Sequence, residues 1–278
     1  MLPINIGKLI STGSYMDEMP STKKSLGQHW LNDLDSLNAM LDAAEVGLDD
    51  IVLEIGPGPG TLTEELVNTA KQVIAVEFDA DLARELPLRV QADNLSVINQ
   101  DILSFDLTAL PPDYKVVANI PYYLTSKLLR NLCESTNHFS KAAILIQKEV
   151  AERVAAKPGD MSLLSVSVQF YCETSLGPVV PAELFTPPPK VDSQILQLSY
   201  RQQPLFPDVD TKAFFHVVKA GFAQRRKTLL NSISGGLRME RDEATKLLEA
   251  AAIQPNVRAQ NLSLEDWYRL CKCYNSGK

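Results

Sequence analysis

Short apolar runs and amphipathic stretches alternate along the first 200 residues of the chain. The apolar runs predict buried strands over residues 51–55, 73–76, 95–98, 115–118 and 142–146. Between the first three runs, helical spacing of apolar positions predicts helices over 61–70 and 81–90. Strands separated by helices predict an α/β fold with a doubly wound, mostly parallel sheet, and ligands of such sheets bind at the carboxyl ends of the strands.

The pattern changes after this region. Residues 164–171 and 194–200 alternate between apolar and polar positions with no long helix between them, which predicts an antiparallel edge of the sheet. Beyond Pro204 and Pro207 the pattern becomes helical, with Gly235-Gly236 as a break. We expect short helices there over 212–222, 227–233, 241–252 and 264–274.

These patterns divide the chain into three parts. Residues 1–20 show no periodicity, so we expect a flexible leader. Residues 21–203 form the α/β domain, and residues 204–278 form a small all-helical domain. The α/β domain begins with a helix that either Asp33 or Asp35 can cap. Its inner face is expected to carry Leu37, Met40 and Leu41.

Composition places the chain among ordinary globular proteins. It has 278 residues, of which 45% are hydrophobic and 22% charged, with no membrane-length apolar run and no signal-peptide pattern. The four cysteines are scattered apart from one Cys-x-Cys pair, and the three histidines lie far apart. We therefore expect a cytoplasmic protein with no disulfide framework, no metal site and no membrane partner.

Charge is distributed unevenly along the chain. The formal net charge is -7, which argues mildly against a nucleic-acid partner. From Arg201 onward, however, there are 13 Lys and Arg against 8 Asp and Glu, so this part carries +5 and the first 200 residues carry -12. A chain with this uneven charge can still bind RNA, but only through its positively charged face.

The strand predicted to end at Asn119 breaks open because Pro121 cannot donate a hydrogen bond to a sheet ladder. At its carboxyl edge it presents the Asn119 amide, the Ile120 carbonyl and the ring of Tyr122. Two acceptors and an aromatic face suit a flat amino group such as adenine N6. Taken alone, the same residues are more typical of a strand end followed by a proline turn.

Polar groups also follow the three preceding strands. The first strand leads into Glu54-Ile55-Gly56-Pro57-Gly58-Pro59-Gly60, a glycine loop whose G-x-G-x-G spacing departs from the dinucleotide fingerprint and has no P-loop lysine. Glu77 ends the second strand, where a carboxylate can bind the hydroxyls of a ribose, and Asp101 follows the third, where it can accept from an adenine amino group. Taken singly, the glycine loop could serve only tight packing, Glu77 could be a solvated acid and Asp101 could be a helix cap. Together with Asn119, however, the three features lie at one edge of the predicted sheet.

Four motifs resemble those of the rRNA adenine dimethyltransferases over residues 23 to 267: Lys24-Ser25-Leu26-Gly27-Gln28, Leu53-Glu54-Ile55-Gly56-Pro57-Gly58, Asn119-Ile120-Pro121-Tyr122 and Phe185-Thr186-Pro187-Pro188-Pro189-Lys190-Val191-Asp192-Ser193. The resemblance implies a class I, Rossmann-like methyltransferase. Such an enzyme transfers methyl groups from S-adenosylmethionine (SAM) to N6 of two adjacent adenosines near the 3′ end of small-subunit rRNA. The expected partner is this rRNA within the immature 30S subunit, bound by a monomer.

The resemblance also implies site residues. The cofactor-binding set is Gln28, His29, Leu31, Gly56, Gly58, Glu77, Asp101 and Asn119, and the catalytic set is Asn119, Ile120, Pro121, Tyr122 and Phe185. One position departs from the family, which usually has Asn and then Phe where His29 and Trp30 stand. His29 either contacts the methionine end of SAM in place of that Asn or marks an altered local loop.

A basic segment is expected to hold the RNA. The string Gly221-Phe222-Ala223-Gln224-Arg225-Arg226-Lys227 is a specific part of the resemblance. We expect phosphate contacts from Arg225, Arg226 and Lys227, with Lys219 earlier on the same helix and Arg238 beyond it. The alternative is a solvated helix face.

Three other functions compete with this one. The erythromycin-resistance methyltransferases share the glycine loop and Asn-Ile-Pro-Tyr but modify large-subunit rRNA, and the triple-proline string and basic tail disfavour them. A ribosome-assembly factor would bind the immature subunit with methylation secondary. A nicotinamide dehydrogenase is disfavoured by the glycine spacing.

Overall fold

The computed structural model describes residues 20, 22–23, 26–224 and 226–276. Apart from Pro20, the predicted leader lies outside the described residues. So do Lys24 and Ser25 of the first motif and Arg225 of the basic segment.

Two sheets organise the described part of the α/β region. The strands are β1 (Trp30–Leu31), β2 (Ile51–Ile55), β3 (Gln72–Glu77), β4 (Leu95–Asn99), β5 (Lys115–Asn119), β6 (Lys141–Gln147), β7 (Cys172–Val180), β8 (Phe185–Thr186) and β9 (Ser193–Tyr200). The large sheet has seven strands in the order β4-β3-β2-β5-β6-β9-β7, and β1 pairs with β8 in a separate two-stranded sheet. The strands from β4 to β6 are parallel, whereas β9 runs antiparallel to both β6 and β7. The predicted α/β class with an antiparallel edge is confirmed.

Helices precede, connect or follow the strands of the α/β region. They are α1 (Leu34–Ala43), α2 (Thr61–Thr69), α3 (Ala80–Arg89), α4 (Thr125–Glu134), α5 (Lys148–Val154) and α6 (Leu163–Gln169). Of the two candidate caps for α1, Asp33 is the one used: its side chain accepts a hydrogen bond from the Ser36 amide. The sequence pattern did not predict α4 or α5.

The strand expected over residues 164–171 is wrong, because this segment is α6. Ser162 and Ser165 form a capping box that starts the helix, in which each side chain bonds the backbone of the other residue. The antiparallel edge strand is β7, which begins just beyond α6 at Cys172. A short run of alternating small and apolar residues suits either structure, and here the cap decides.

The C-terminal part is helical, as predicted, with α7 (Thr211–Phe222), α8 (Leu229–Leu237), α9 (Arg241–Ala250) and α10 (Leu264–Ser276). The expected break at Gly235-Gly236 is wrong, because both glycines lie within α8. A Cβ atom added to Gly236 would stand 2.7 Å from the Cα of Ala220. The glycine therefore allows α8 to approach the backbone of α7, rather than ending the helix.

Four hydrophobic clusters fill the interior of the described part of the chain, and three of them are large. Alternate residues of the central strands enter opposite faces of the sheet: Val116 and Ala118 belong to one cluster and Val117 to another. The third cluster lies among the C-terminal helices, yet it also contains Met161 and Phe170. Residues just before and just after α6 thus pack into the core of the C-terminal helices. The domain boundary expected between residues 203 and 204 stays a prediction. In the described part of the chain, no helix is both long and apolar enough to span a membrane.

The contact between α7 and α8 generates a prediction. Gly236→Ala should lower the free energy of unfolding by about 1–3 kcal/mol, because the new methyl group must displace backbone. Gly235→Ala is the matched control: its Cβ would meet only the Gln224 side-chain amide, at 3.5 Å. That variant should be neutral or more stable by up to about 1 kcal/mol. Urea unfolding of both variants checks this, and equal effects would contradict the close approach.

Candidate active site

A cavity of about 280 Å³ lies at the carboxyl edge of the parallel strands, beneath the segment that contains β1. Every residue of the predicted cofactor-binding and catalytic sets lines it: Gln28, His29, Leu31, Gly56, Gly58, Glu77, Asp101, Asn119, Ile120, Pro121, Tyr122 and Phe185. The structure thus brings together residues that are far apart in the sequence. Their individual roles stay predictions.

The glycine loop after β2 has a backbone that other residues rarely adopt. Gly56, Gly58 and Gly60 have φ angles of +70°, +58° and +100°. A Cβ atom on Gly58 would also stand 2.7 Å from the ring of Trp30. The Trp30 ring is held in turn by a 3.0 Å hydrogen bond from its Nε1 to the Pro20 carbonyl. Both the conformation and the close packing therefore require glycine at position 58.

Glu77 joins two loops of the cavity. Its carboxylate accepts a 3.1 Å hydrogen bond from the Gly58 amide and a 2.8 Å bond from the Asp79 amide. The side chain is buried, and burial raises the pKa of this carboxyl above its ordinary value, although the two amide bonds act in the opposite direction. The carboxylate is fixed at the end of β3 before any ligand binds.

Asp101 caps a helical turn, which was the alternative to its expected role in ligand binding. It also lines the cavity. Its Oδ1 accepts a 3.0 Å hydrogen bond from the Leu103 amide, which starts a short 3-10 turn. That bond uses one of the two carboxylate oxygens. Because the residue is exposed at the cavity, the cap and a ligand contact are compatible.

The segment before α1 covers the glycine loop and is attached at several points. Leu31 pairs with Phe185 across β1 and β8, and the Thr61 hydroxyl donates to the Leu31 carbonyl at 2.9 Å. At the other end, the Lys23 ammonium lies 2.7 Å from the Asp79 carboxylate. Burial opposes ionisation of Asp79, but hydrogen bonds from Lys23 and neighbouring groups outweigh it and lower the pKa of Asp79.

His29 bridges this segment and the triple-proline string. Its Nδ1 lies 2.6 Å from the Pro187 carbonyl oxygen, and because a carbonyl can only accept, Nδ1 must carry the hydrogen. In the neutral ring Nε2 is then an acceptor. The ring is stacked with that of Tyr122 at a centroid distance of 6.2 Å. His29 is therefore anchored at the cavity wall, while its contact with a cofactor stays a prediction.

The segment after β5 supplies the other wall. Asn119 ends the strand, and Tyr122 opens a 3-10 turn that leads into α4. The Tyr122 hydroxyl and the Ser193 hydroxyl are hydrogen-bonded at 2.9 Å, which ties this wall to the motif that ends at Ser193. Burial raises the pKa of Tyr122, so the phenol stays neutral at physiological pH. Phe185 lines the cavity although it is almost fully buried.

Several lining residues were missing from the predicted sets. Phe78 and Tyr123 are 61% and 68% exposed, and Lys127 lies on the first turn of α4. Phe78 could have been found as the apolar residue directly after the strand-end Glu77. Nothing in the local pattern marked Tyr123 or Lys127, because α4 itself was not predicted.

Glu54 is an unusual buried acid beneath the glycine loop. It is fully buried on β2, and within the described residues neither of its carboxylate oxygens has a hydrogen-bond partner. Burial raises the pKa of Glu54 to about 8, and the nearby Glu77 charge acts in the same direction. The carboxyl is therefore protonated at neutral pH.

The predicted RNA-binding residues are not all on one helix. Lys219 lies on α7 and lines a second cavity, of about 1060 Å³, between α4, α6 and α7. Because α7 ends at Phe222, Arg226 and Lys227 lie in the turn that follows it, where both are exposed. The prediction that they share a helix with Lys219 is wrong, and Arg225 lies outside the described residues. Arg238 ends α8 with a φ of 55°.

A metal site receives no support from the described part of the chain, where no group of three or more His, Cys, Asp or Glu side chains could hold an ion. The cysteines at 133, 172, 271 and 273 are free thiols.

The chain is similar to proteins of known name over most of its length. A family model described as "Ribosomal RNA adenine dimethylase" matches residues 19–276. A protein of Dehalococcoides mccartyi called "Ribosomal RNA small subunit methyltransferase A" is 43% identical over 256 residues, covering 91% of this chain and 88% of its own. A protein of the same name from Streptococcus thermophilus is 41% identical over 261 residues, covering 89% and 90%.

Two solved structures share the fold. A dimethyladenosine transferase from Plasmodium falciparum aligns with a TM-score of 0.76 at 27% identity, covering 88% of this chain and 97% of its own. The 23S rRNA methyltransferase ErmE aligns with a TM-score of 0.72 at 29% identity, covering 88% and 99%.

The buried Glu54 generates a prediction about pH. A carboxyl whose folded pKa is raised from 4.5 to about 8 binds its proton more tightly in the folded state, so its contribution to stability falls as pH rises from about 4.5 to about 8. Glu54→Gln removes this titration. The free energy of unfolding of the wild type should fall relative to the variant by on the order of 1 kcal/mol per pH unit in that window. Urea unfolding at pH 5, 6.5, 8 and 9 checks this, and parallel profiles would contradict it.

Proposed function

We propose a reaction and a target for this chain, which belongs to the ribosomal RNA adenine dimethylase family. It is a SAM-dependent methyltransferase that dimethylates N6 of two adjacent adenosines near the 3′ end of small-subunit rRNA. The observation that carries the proposal is a single cavity in which the glycine loop, Glu77 and Asp101 meet the Asn119-Ile120-Pro121-Tyr122 wall. A nucleoside cofactor and a flat amino group can therefore lie side by side.

The choice of small-subunit rRNA rests on the relatives. The proteins that are 41–43% identical over nearly the whole chain carry the small-subunit name, whereas the large-subunit enzyme ErmE is 29% identical. We extend the partner to the immature 30S subunit, bound by a monomer in the cytoplasm. The cytoplasm is supported by the free thiols of this chain.

The cavity fits SAM. Gly56, Gly58 and Glu77 line it, so a nucleoside can lie against the loop backbone beside the carboxylate that the Gly58 amide holds. Glu77 would hold the ribose and Asp101 the adenine, with Gln28, His29 and Leu31 on the side of the methionine. When bound, SAM supplies a methyl group already activated on a sulfonium. The chain then needs to provide position more than acid or base chemistry.

The Asn119 side chain and the Ile120 carbonyl orient the target nitrogen. Adenine N6 is a poor nucleophile because its lone pair is delocalised into the ring. By accepting both N–H bonds, the two oxygens favour a pyramidal nitrogen with its lone pair directed at the methyl group. Asn119 is not a base, so the proton of the methylated nitrogen is lost to solvent afterwards.

Aromatic rings hold the plane of the base. Tyr122 is fixed by its bond to Ser193, and Phe185 lies at the same cavity from β8. We propose that the target adenine stacks between them, each contact being worth on the order of 1–3 kcal/mol. Pro121 fixes the turn that presents Tyr122.

The experiment that tests this function uses labelled methyl transfer. Immature small subunits should accept label from tritiated SAM, with mapping placing it on two adjacent adenosines, and large subunits should not. Asn119→Ala should lose transfer while appreciable binding to the subunit is retained. A variant that keeps more than about a tenth of the rate, equivalent to only ~1.4 kcal/mol of barrier, would contradict the role of Asn119. Label on large-subunit rRNA alone would favour the erythromycin-resistance function.

A catalytic role and a purely assembly-related role are separable with the same variant. If the protein acts chiefly as an assembly factor, Asn119→Ala should leave subunit maturation undisturbed. If release depends on methylation, the variant should accumulate on immature subunits.

The basic turn after α7 generates a second prediction. Arg226→Ala/Lys227→Ala should weaken subunit binding and reduce the salt dependence of log K by about 0.7–0.9 for each phosphate that is no longer neutralised, with SAM affinity unchanged. The control variant Lys71→Ala/Arg89→Ala removes the same charge from exposed positions near the sheet. Binding assays at 50–200 mM salt check this. If both variants show the wild-type slope, the docking surface lies elsewhere.

A further inference from the structure

Tyr123 is an exposed aromatic residue at the cavity that the reaction described above does not use. It is 68% exposed, and within the described residues it makes no hydrogen bond and no ring contact. Its neighbour Tyr122, in contrast, is half-buried and bonded to Ser193. A Cβ atom built on Gly27 would stand 3.8 Å from the Tyr123 ring, so the ring lies at the rim, facing the segment before β1. With 68% of the residue exposed, the ring is accessible to a ligand from solvent.

Lys127 completes the same rim. It follows Tyr123 by four residues, lines the same cavity and is exposed, and no ion pair involves it among the described residues. The opposite face of α4 is buried in the core through Leu128, Leu129 and Leu132. Tyr123 lies in the 3-10 turn that leads into α4, and both residues are exposed at the same cavity, so the two side chains share its rim.

The chemistry of the substrate requires a second nucleotide at this rim. Only one N6 at a time can lie against Asn119, yet the two target adenosines are joined by a single phosphate. The neighbouring base must therefore stay at the cavity mouth while the other reacts. An exposed aromatic ring and an unpaired cation are the groups that bind a base and its phosphate without reading sequence.

We propose that Tyr123 stacks on the base next to the target adenine and that Lys127 binds the phosphate between the two nucleotides. This rests on the proposed function and adds a nucleotide subsite to it. Because the first 200 residues carry a net charge of -12, a lysine at the mouth with no ion pair among the described residues gives the RNA strand a local point of attachment on an otherwise repulsive domain.

The test compares steady-state kinetics on immature small subunits purified from cells that lack this methyltransferase. Tyr123→Ala should raise KM for the subunit on the order of tenfold, with a smaller effect on kcat and with SAM affinity unchanged. Tyr123→Phe keeps the ring and should restore a KM close to that of the wild type. Lys127→Ala should raise KM and lower the salt slope by about 0.7–0.9. Leu48→Ala and Lys71→Ala, exposed positions that line neither cavity, are the controls.

A substrate change isolates the stacking contact. In subunits whose neighbouring adenosine is replaced by uridine, stacking is weaker, so Tyr123→Ala should cost clearly less than it does on the natural pair. Equal costs on both substrates, or wild-type KM for Tyr123→Ala, would overturn the subsite. Failure of the wild type to methylate small subunits would instead overturn the proposed function, so the two failures are distinguishable.

Discussion

The parallel pairing of β2 with β5 is the constraint on which the site depends. Because the two strands lie side by side in the middle of the sheet, the glycine loop after Ile55 and the segment after Asn119 must leave the same edge as neighbours. Chain connections diverge to opposite sides at this point, which opens a crevice at the strand ends. A Cβ atom on Gly56 would lie 3.5 Å from the Asn119 carbonyl, so a single methyl group would fill the space between the two segments. The glycine loop and the segment after Asn119 are thereby held next to each other by the sheet itself.

The groups around this crevice are held mainly by bonds within the protein. Glu77 is fixed by two backbone amides, Tyr122 by a hydroxyl and His29 by a carbonyl. Such anchoring limits the rotamer freedom that each side chain would lose on binding a ligand. The exposed rim at Tyr123 and Lys127 is different, since neither side chain has a partner among the described residues. Anchored groups suit a reaction that depends on position, whereas free groups suit a long RNA that must be released.

Much of the sheet could be predicted from the sequence, and every residue expected at the site lines the cavity, although these residues are fewer than half of its lining. Five strands read as short apolar runs, and polar residues after successive parallel strands had to meet at one edge. The errors arose where local pattern was ambiguous. The alternating residues of α6 suit a strand as well as a helix, and the Ser162–Ser165 capping box selects the helix. Gly236 suggests a helix break, but it is needed for the close contact between α8 and α7. The burial of Glu54 without a partner could not be predicted, because it depends on what packs above and below β2.

The pairing of β1 with β8 has a consequence for biosynthesis. His29 and the Pro187 carbonyl that it contacts are 158 residues apart in the chain. During translation, the amino-terminal segment must therefore wait until most of the sheet has emerged from the ribosome before it can close over the glycine loop. Contacts of such high sequence separation are costly to form early, so they are expected late in folding. A nascent chain halted before β8 would already contain Glu77, Asp101 and Asn119. It would lack the pairing of β1 with β8 that holds the amino-terminal segment over the cavity.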